Sequence, residues 1–385
     1  MEAQSSELDS TAIATAAPIR LLLDGRKIGD GGIGVYTENL IAGLVEVGGV
    51  NISVIVRDDS QVLPAYAGAV RWLHDKAQPY SVDELIGLPR RIPFSSFDIF
   101  HAPHYVLPYR IGIPSVVTIH DLIHISHPEK FYYPWVARRL IRSAVRRADA
   151  VIAVSRHTHE GIMRLAAPEA SKVSCIPNAI APTFARSVQI SEVGGRDKPY
   201  LFVLMSNSKP HKGLKDLLIA YASYRKKGLW RPTLSACPTL VLAGYGSENL
   251  EQTLLDKECS ELLQGVEVVG VLSPTAVRQR LTQATAVIVP SLVEGFCLPA
   301  LEAQACGTPV VCRPIPALQE LITERDVVAE DFSVEALAQA IAVGVVRGAS
   351  GSRDVMRPHM DRFSCRAVGE QVKGEYARVL ARRRS

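Results

Sequence analysis

The chain has 385 residues, 47% of them hydrophobic and 21% charged, a globular composition too long for one ordinary core. The formal net charge is only +4, from 43 basic and 39 acidic side chains, which argues against a nucleic-acid partner. No apolar run is long enough to cross a bilayer. Seven cysteines without a C-x-x-C pair point to reduced thiols in the cytoplasm rather than a disulfide framework or a zinc site.

Residues 1–18 are acidic and Ser/Ala-rich and read as a disordered leader. Apolar runs then alternate with amphipathic stretches. Strands are expected at 19–24, 51–56, 97–100, 115–119, 150–154 and 173–176, with helices such as 36–45 and 135–147 between them. That rhythm implies a parallel sheet covered on both faces, a first domain over 19–185. The polar, Gly-bearing stretch 186–199 reads as a linker. The rhythm restarts at 200–205, 239–243, 266–269, 286–289 and 309–311, a second doubly wound domain over 200–364. A last helical pattern within 365–385 is expected to pack back on the first domain. The fold class is therefore α/β, two Rossmann-like domains facing across a cleft.

Four clusters carry chemistry. Gly29-Asp30-Gly31-Gly32-Ile33-Gly34 opens a helix, where free amides and the helix dipole favour an anion. Read literally it is also the dinucleotide pattern G-x-G-x-x-G, with Asp58 and Asp59 after the next strand, which keeps an NAD-dependent oxidoreductase as an alternative. The glycines, however, begin several residues after the strand, not in the tight turn itself. His120 and Asp121 end a buried strand, where ligands of open sheets bind. His124 and His127 follow and read as ordinary loop histidines, because a strand end lacks the i,i+4 face of a zinc helix. Asn207, Lys209 and Lys212 follow the first strand of the second half and place cations where a diphosphate would lie. The fourth cluster, 290–309, holds Glu294 in a loop and Glu302 in a helix eight positions later. Pro299 fits the first helical position and Gly307 the end, which puts Glu302 in the first turn, with the amides of Phe296, Cys297 and Leu298 free nearby.

Together these motifs resemble the retaining GT-B glycosyltransferases of family 4, over nearly the whole chain. The Glu294/Glu302 pair matches that family's E-x7-E motif. The resemblance implies a nucleotide-sugar held by the second domain and an acceptor held by the first. Glu302 would bind the ribose hydroxyls, Glu294 the sugar hydroxyls, Lys212 and the Gly32 amide the diphosphate, and His120 the transferred sugar. Attack would come from the leaving-group face, a diphosphate oxygen taking the acceptor proton. With no Asp-x-Asp motif at a strand end, no divalent metal or other cofactor is expected. This chain departs from the family in Asn207, which is neutral and leaves Lys209 to share the phosphate charge, and in Cys297, which replaces a usual glycine. Asp24-Gly25-Arg26 and the stretch HAPHYVLP at 101–108 resemble bacterial mannosyltransferases that build O-antigen and exopolysaccharide chains. That favours GDP-mannose as donor and a lipid-linked or saccharide acceptor, with a UDP-sugar as the alternative donor. Arg138, Arg142 and Arg146 recur every four residues along one helix face and are expected to touch an anionic membrane, on its cytoplasmic side.

Overall fold

The computed structural model describes residues 17–185, 198–205, 209–244, 259–350 and 357–384. Asn207 lies outside them, as do most of the stretches read as leader and linker.

The apolar runs form two parallel sheets. The first contains β1 (Ile19–Asp24), β2 (Val50–Val56), β3 (Val70–His74), β4 (Ile99–Ala102), β5 (Ser115–Ile119), β6 (Ala150–Ala153) and β7 (Val173–Cys175), in the order β3-β2-β1-β4-β5-β6-β7. The second contains β8 (Tyr200–Leu204), β9 (Thr239–Ala243), β10 (Val266–Val268), β11 (Ala286–Val289), β12 (Val310–Cys312) and β13 (Val327–Val328), in the order β10-β9-β8-β11-β12-β13. All pairings are parallel. Helices must then cover both faces, so every residue of β4, β5, β6 and β11 is buried. Each buried Leu, Ile or Val in these strands contributes about 1.5–3 kcal/mol.

The two strand orders fix where ligands can enter. The first sheet reverses direction between β1 and β4, the second between β8 and β11. In an open parallel sheet the crevice lies at such a reversal, beyond the carboxyl ends of the strands. The segments leaving those ends are 25–30 after β1, 103–114 after β4, 205–213 after β8 and 290–297 after β11.

The halves are joined by packing as well as by chain. The last helix, Cys365–Arg384, lies along the helix Gly31–Val47 of the first half. Gly43 and Gly369 permit the approach: a Cβ on Gly43 would stand 2.1 Å from the Cys365 carbonyl oxygen. Near the middle of this helix Tyr376 Oη lies 2.6 Å from His101 Nδ1, and His101 Nε2 lies 2.8 Å from Thr118 Oγ1. Burial pushes the His101 ring down to about 3, so it is neutral and serves as a structural link between β4, β5 and this helix.

Candidate active site

The segment after β1 turns through left-handed backbone at Gly29 (φ 78°) and again at Gly31 (φ 57°), the first residue of the helix Gly31–Val47. Asp30 stands at the cap without capping, its carboxylate drawn to Lys27 Nζ at 2.5 Å, and the first turn holds no acid. The first amides of this helix are therefore left for a ligand. The glycines differ in purpose. A Cβ on Gly34 would collide with the Lys27 carbonyl oxygen at 2.6 Å, whereas one on Gly32 would meet nothing within 4 Å. Gly34 is demanded by packing, and Gly32 opens on the cleft.

Across the cleft, the segments after β8 and β11 are stitched together. Leu292 N donates to His211 O at 2.8 Å, and Gly213 (φ 69°) lies so close to the Pro290 carbonyl that a Cβ would stand 2.2 Å from its oxygen. The stitch sets Lys212 Nζ 2.7 Å from Glu294 Oε1, which also accepts from Ser291 Oγ at 2.7 Å. Burial acts to lower the Lys212 ammonium, but the Glu294 charge and hydrogen bond outweigh it and hold its pKa above the usual lysine value. Lys212 is therefore charged at neutral pH.

Glu302 is not in the first helical turn. The helix runs Leu298–Ala305, with Cys297 as cap and Pro299 in the second position, so Glu302 is the fifth residue. Proline is tolerated at either of the first two positions, so its presence alone leaves the helix start uncertain by one residue. A macrodipole role for this acid is correspondingly weak. Glu302 is only 9% exposed and its carboxylate has no hydrogen-bond partner among the described residues. Burial pushes its pKa up to about 7. Cys297 takes left-handed backbone (φ 82°, ψ 75°), a conformation suited to glycine. Burial pushes its thiol well up, so it is an inert side chain at neutral pH.

His120 completes the wall. Its Nε2 lies 2.9 Å from the Pro103 carbonyl oxygen, which can only accept, so this nitrogen carries the proton and Nδ1 is left as an acceptor. Burial outweighs the opposing pull of Pro103 O and Asp121 and lowers the ring to about 4, which keeps it neutral. Tyr36 meets the ring edge-on at 4.8 Å. The second half seats directly on this strand end: a Cβ on Gly295 would lie 2.0 Å from the His120 carbonyl oxygen.

One cleft of about 580 Å³ gathers Gly32, His120, Lys209, Lys212, Glu294, Phe296, Cys297, Leu298 and Glu302. Lys209 sits at 2.5 Å from Glu129 of the first half, an ion pair across the cleft. Sequence reasoning passed over Glu129, which carries no motif, and Ser291, which stands inside the quoted cluster. Glu320 Oε1 accepts from Arg156 N at 2.7 Å and His157 N at 3.3 Å and so ties the halves at a helix start. His124 lines the cleft with Nδ1 2.8 Å from Tyr105 Oη, and His127 is exposed. Asp58, the acid a dinucleotide site would aim at a ribose, caps a turn by accepting from Ser60 N at 3.0 Å.

Two Rossmann-like halves that meet across a cleft, with cations, free helix amides and paired glutamates at the strand-order reversals, define a glycosyltransferase of GT-B type. Comparison with known proteins agrees. Residues 30–184 match the model of Glycosyltransferase Family 4 and residues 186–343 that of Glycosyl transferases group 1. The chain belongs to this glycosyltransferase family, the group 1 enzymes of family 4. It is similar to O-antigen chain mannosyltransferase RfbU of Salmonella typhimurium, at 24% identity over 60% of this chain and 60% of that protein, so the match spans under two thirds of the relative's length. It is also 24% identical to O-antigen chain mannosyltransferase B of Escherichia coli, over 72% of this chain and 70% of the other. Among solved structures, Anabaena Alr3699/HepE in complex with UDP-glucose superposes with a TM-score of 0.71 at 18% identity, covering 93% of this chain and 99% of that one.

Proposed function

We propose that the protein is a retaining transferase that moves mannose from GDP-mannose to a lipid-linked or growing saccharide acceptor in cell-surface polysaccharide synthesis. The observation that carries the reading is the charge arrangement of one cleft wall, where a charged Lys212, Glu294 and a Glu302 without a hydrogen-bond partner among the described residues stand together. The Glu302 carboxylate takes the ribose hydroxyls of the nucleotide. Lys212 and the Gly32 amide meet the diphosphate, whose negative charge grows as the bond to the sugar breaks. Preorganised cations and amides act most strongly on such developing charge, and they leave no step that needs a divalent metal. Glu294, already fixed by Lys212 and Ser291, holds sugar hydroxyls, and His120 Nδ1 accepts from the transferred sugar. A diphosphate oxygen on the leaving-group face takes the acceptor proton.

Mannose is supported by the two relatives named as O-antigen mannosyltransferases, and the guanine base by the resemblance carried by residues 24–26 and 101–108. A UDP-sugar is the second reading, because the matching fold of HepE holds UDP-glucose. Hydrolysis of a panel of nucleotide-sugars decides between them: GDP-mannose should turn over fastest, and turnover of UDP-glucose alone would replace the donor. The anomeric configuration of the product, read by NMR, tests retention.

No helix of the described residues is long and apolar enough to cross a membrane. We place the enzyme against the cytoplasmic face of an anionic bilayer through Arg138, Arg142 and Arg146. All three are exposed on the helix Tyr133–Arg147, whose opposite face buries Ala137, Ile141, Ala144 and Val145. Two aromatic side chains unmarked by any motif, Phe131 (90% exposed) and Trp135 (82%), stand at the start of the same helix and suit the interfacial zone.

A further inference from the structure

The basic helix flanks a groove of about 1350 Å³ that is separate from the catalytic cleft. Arg138, Arg139, Arg142, Arg146 and Arg147 line it, and no acidic side chain does. None of the five forms an ion pair among the described residues. Arg147 is fixed by neutral groups: its guanidinium donates to Pro108 O at 2.8 Å, to Leu107 O and to Ser143 Oγ at 3.2 Å, and lies 4.1 Å from the centre of the Tyr109 ring. Arg142 uses one donor on Leu165 O at 3.0 Å. Five uncompensated guanidinium groups in one concavity repel each other unless an anion joins them, and the planar fork matches phosphate oxygens.

The groove is also apolar. Leu85, Leu140 and Leu165 share the lining with Trp135. A simple anion would use the arginines and leave these surfaces wet, so the ligand that satisfies both is an amphiphile. The groove further borders the reaction. A second cavity of about 340 Å³ shares Arg138 and Leu165 with it, and shares Asp121, Glu294 and Gly295 with the cleft.

We infer that this groove binds the phosphate or diphosphate head of an amphiphile, the lipid-linked acceptor, and directs its saccharide end toward the cleft. The identification of the ligand as an acceptor rests on the transferase reading above; the phosphate site itself does not. It goes beyond surface attraction to a bilayer, because a built groove recognises one monomeric molecule.

Calorimetric titration of the full chain with decyl phosphate, kept below its micelle concentration, tests this. One saturable site per chain is expected, with inorganic phosphate and decanol each binding more weakly. Arg138→Gln with Arg146→Gln should weaken decyl phosphate by roughly tenfold or more, with the melting transition checked first and the single variants titrated if the pair fails to fold. Unchanged affinity in the folded variants, or no binding by the wild type, overturns the inference. So does binding to vesicles of phosphatidylglycerol without binding of monomeric decyl phosphate, an outcome that leaves only a membrane-facing surface. Failure of the transferase reading would show separately, as absent nucleotide-sugar hydrolysis with the titration unaffected.

Discussion

Two charge clusters lie beside the strand ends, and they are built on opposite principles. In the first half, Asp24, Arg26, Glu84 and His104 are all buried, and every charge is answered. Arg26 Nη2 is 2.6 Å from both Asp24 Oδ2 and Glu84 Oε1, and His104 Nε2 is 2.9 Å from Glu84 Oε1. Asp24, Glu84 and His104 have ligand atoms within 4.8 Å of one another, a spacing a metal could use, but the Arg26 guanidinium already supplies the cation. In the second half, Lys212 and Glu294 are paired while Glu302 is buried with nothing to answer it among the described residues. Each cluster also carries a strained residue. Tyr80 (φ 64°) donates its amide to Glu84 at 2.5 Å, and Cys297 (φ 82°) caps the helix of Glu302. A closed cluster holds a fold. An open one holds stored desolvation that a ligand can relieve, which is why perturbed acids gather at sites.

The sharpest way to break the comparison is to open the closed cluster. Arg26→Met leaves two buried carboxylates without a cation, and removing one partner of a buried pair costs about 3–5 kcal/mol. Urea denaturation should show a loss of that size. A loss below about 1 kcal/mol, the scale of a surface pair, would mean the network is solvated in solution and the contrast is false.

The next effect belongs to Glu302. Its carboxyl rises from an ordinary 4.5 to about 7 on folding, so the folded chain holds the proton more tightly than the unfolded one. Stability from this group is therefore full below about pH 4.5 and is lost as pH climbs to about 7, by up to roughly 3 kcal/mol. Glu302→Gln removes the loss: it should match wild type near about pH 5 and exceed it near about pH 8 in urea midpoint. Binding runs the other way, because the ionised carboxylate is the better acceptor for ribose hydroxyls. Wild-type affinity for GDP should rise with pH through about 7, while the Gln variant should be flat and roughly tenfold weaker. Equal affinity at every pH would remove Glu302 from the nucleotide site.

How much of this was legible beforehand follows from the same physics. A parallel strand is buried on both faces, so it is written as an unbroken apolar run, and 115–119, 150–154 and 286–289 could be read directly. β3, VRWLH, is a half-exposed edge strand with a mixed pattern, and β13 has two residues; neither leaves such a signal. The cleft residues were legible because they follow strand ends in spaced motifs. The Lys209–Glu129 and Glu320 contacts were not, since partners from different halves obey no local spacing. Tertiary burial, not sequence, also decides that Arg26 is closed in while Arg138 is exposed.

The smallest effect tests the strain at the open cluster. A left-handed conformation costs a residue with a Cβ about 1–2 kcal/mol, and glycine escapes it. Both Cys297→Ala and Cys297→Gly remove the same buried thiol, so the difference between them isolates the backbone. At an ordinary position alanine would be the more stable by about 0.5–1 kcal/mol, because glycine has more freedom to lose on folding. At φ 82° the order should reverse, with the glycine variant more stable by up to about 1 kcal/mol in urea denaturation. The reversal would show that the cap is held against its own preference by the helix that positions Glu302. It would also explain why a glycine serves the family at this position, since the amide stays in place while the strain disappears. Alanine proving the better substitute would mean that Cys297 relaxes to another conformation in solution, and that the strain assigned to the open cluster is absent.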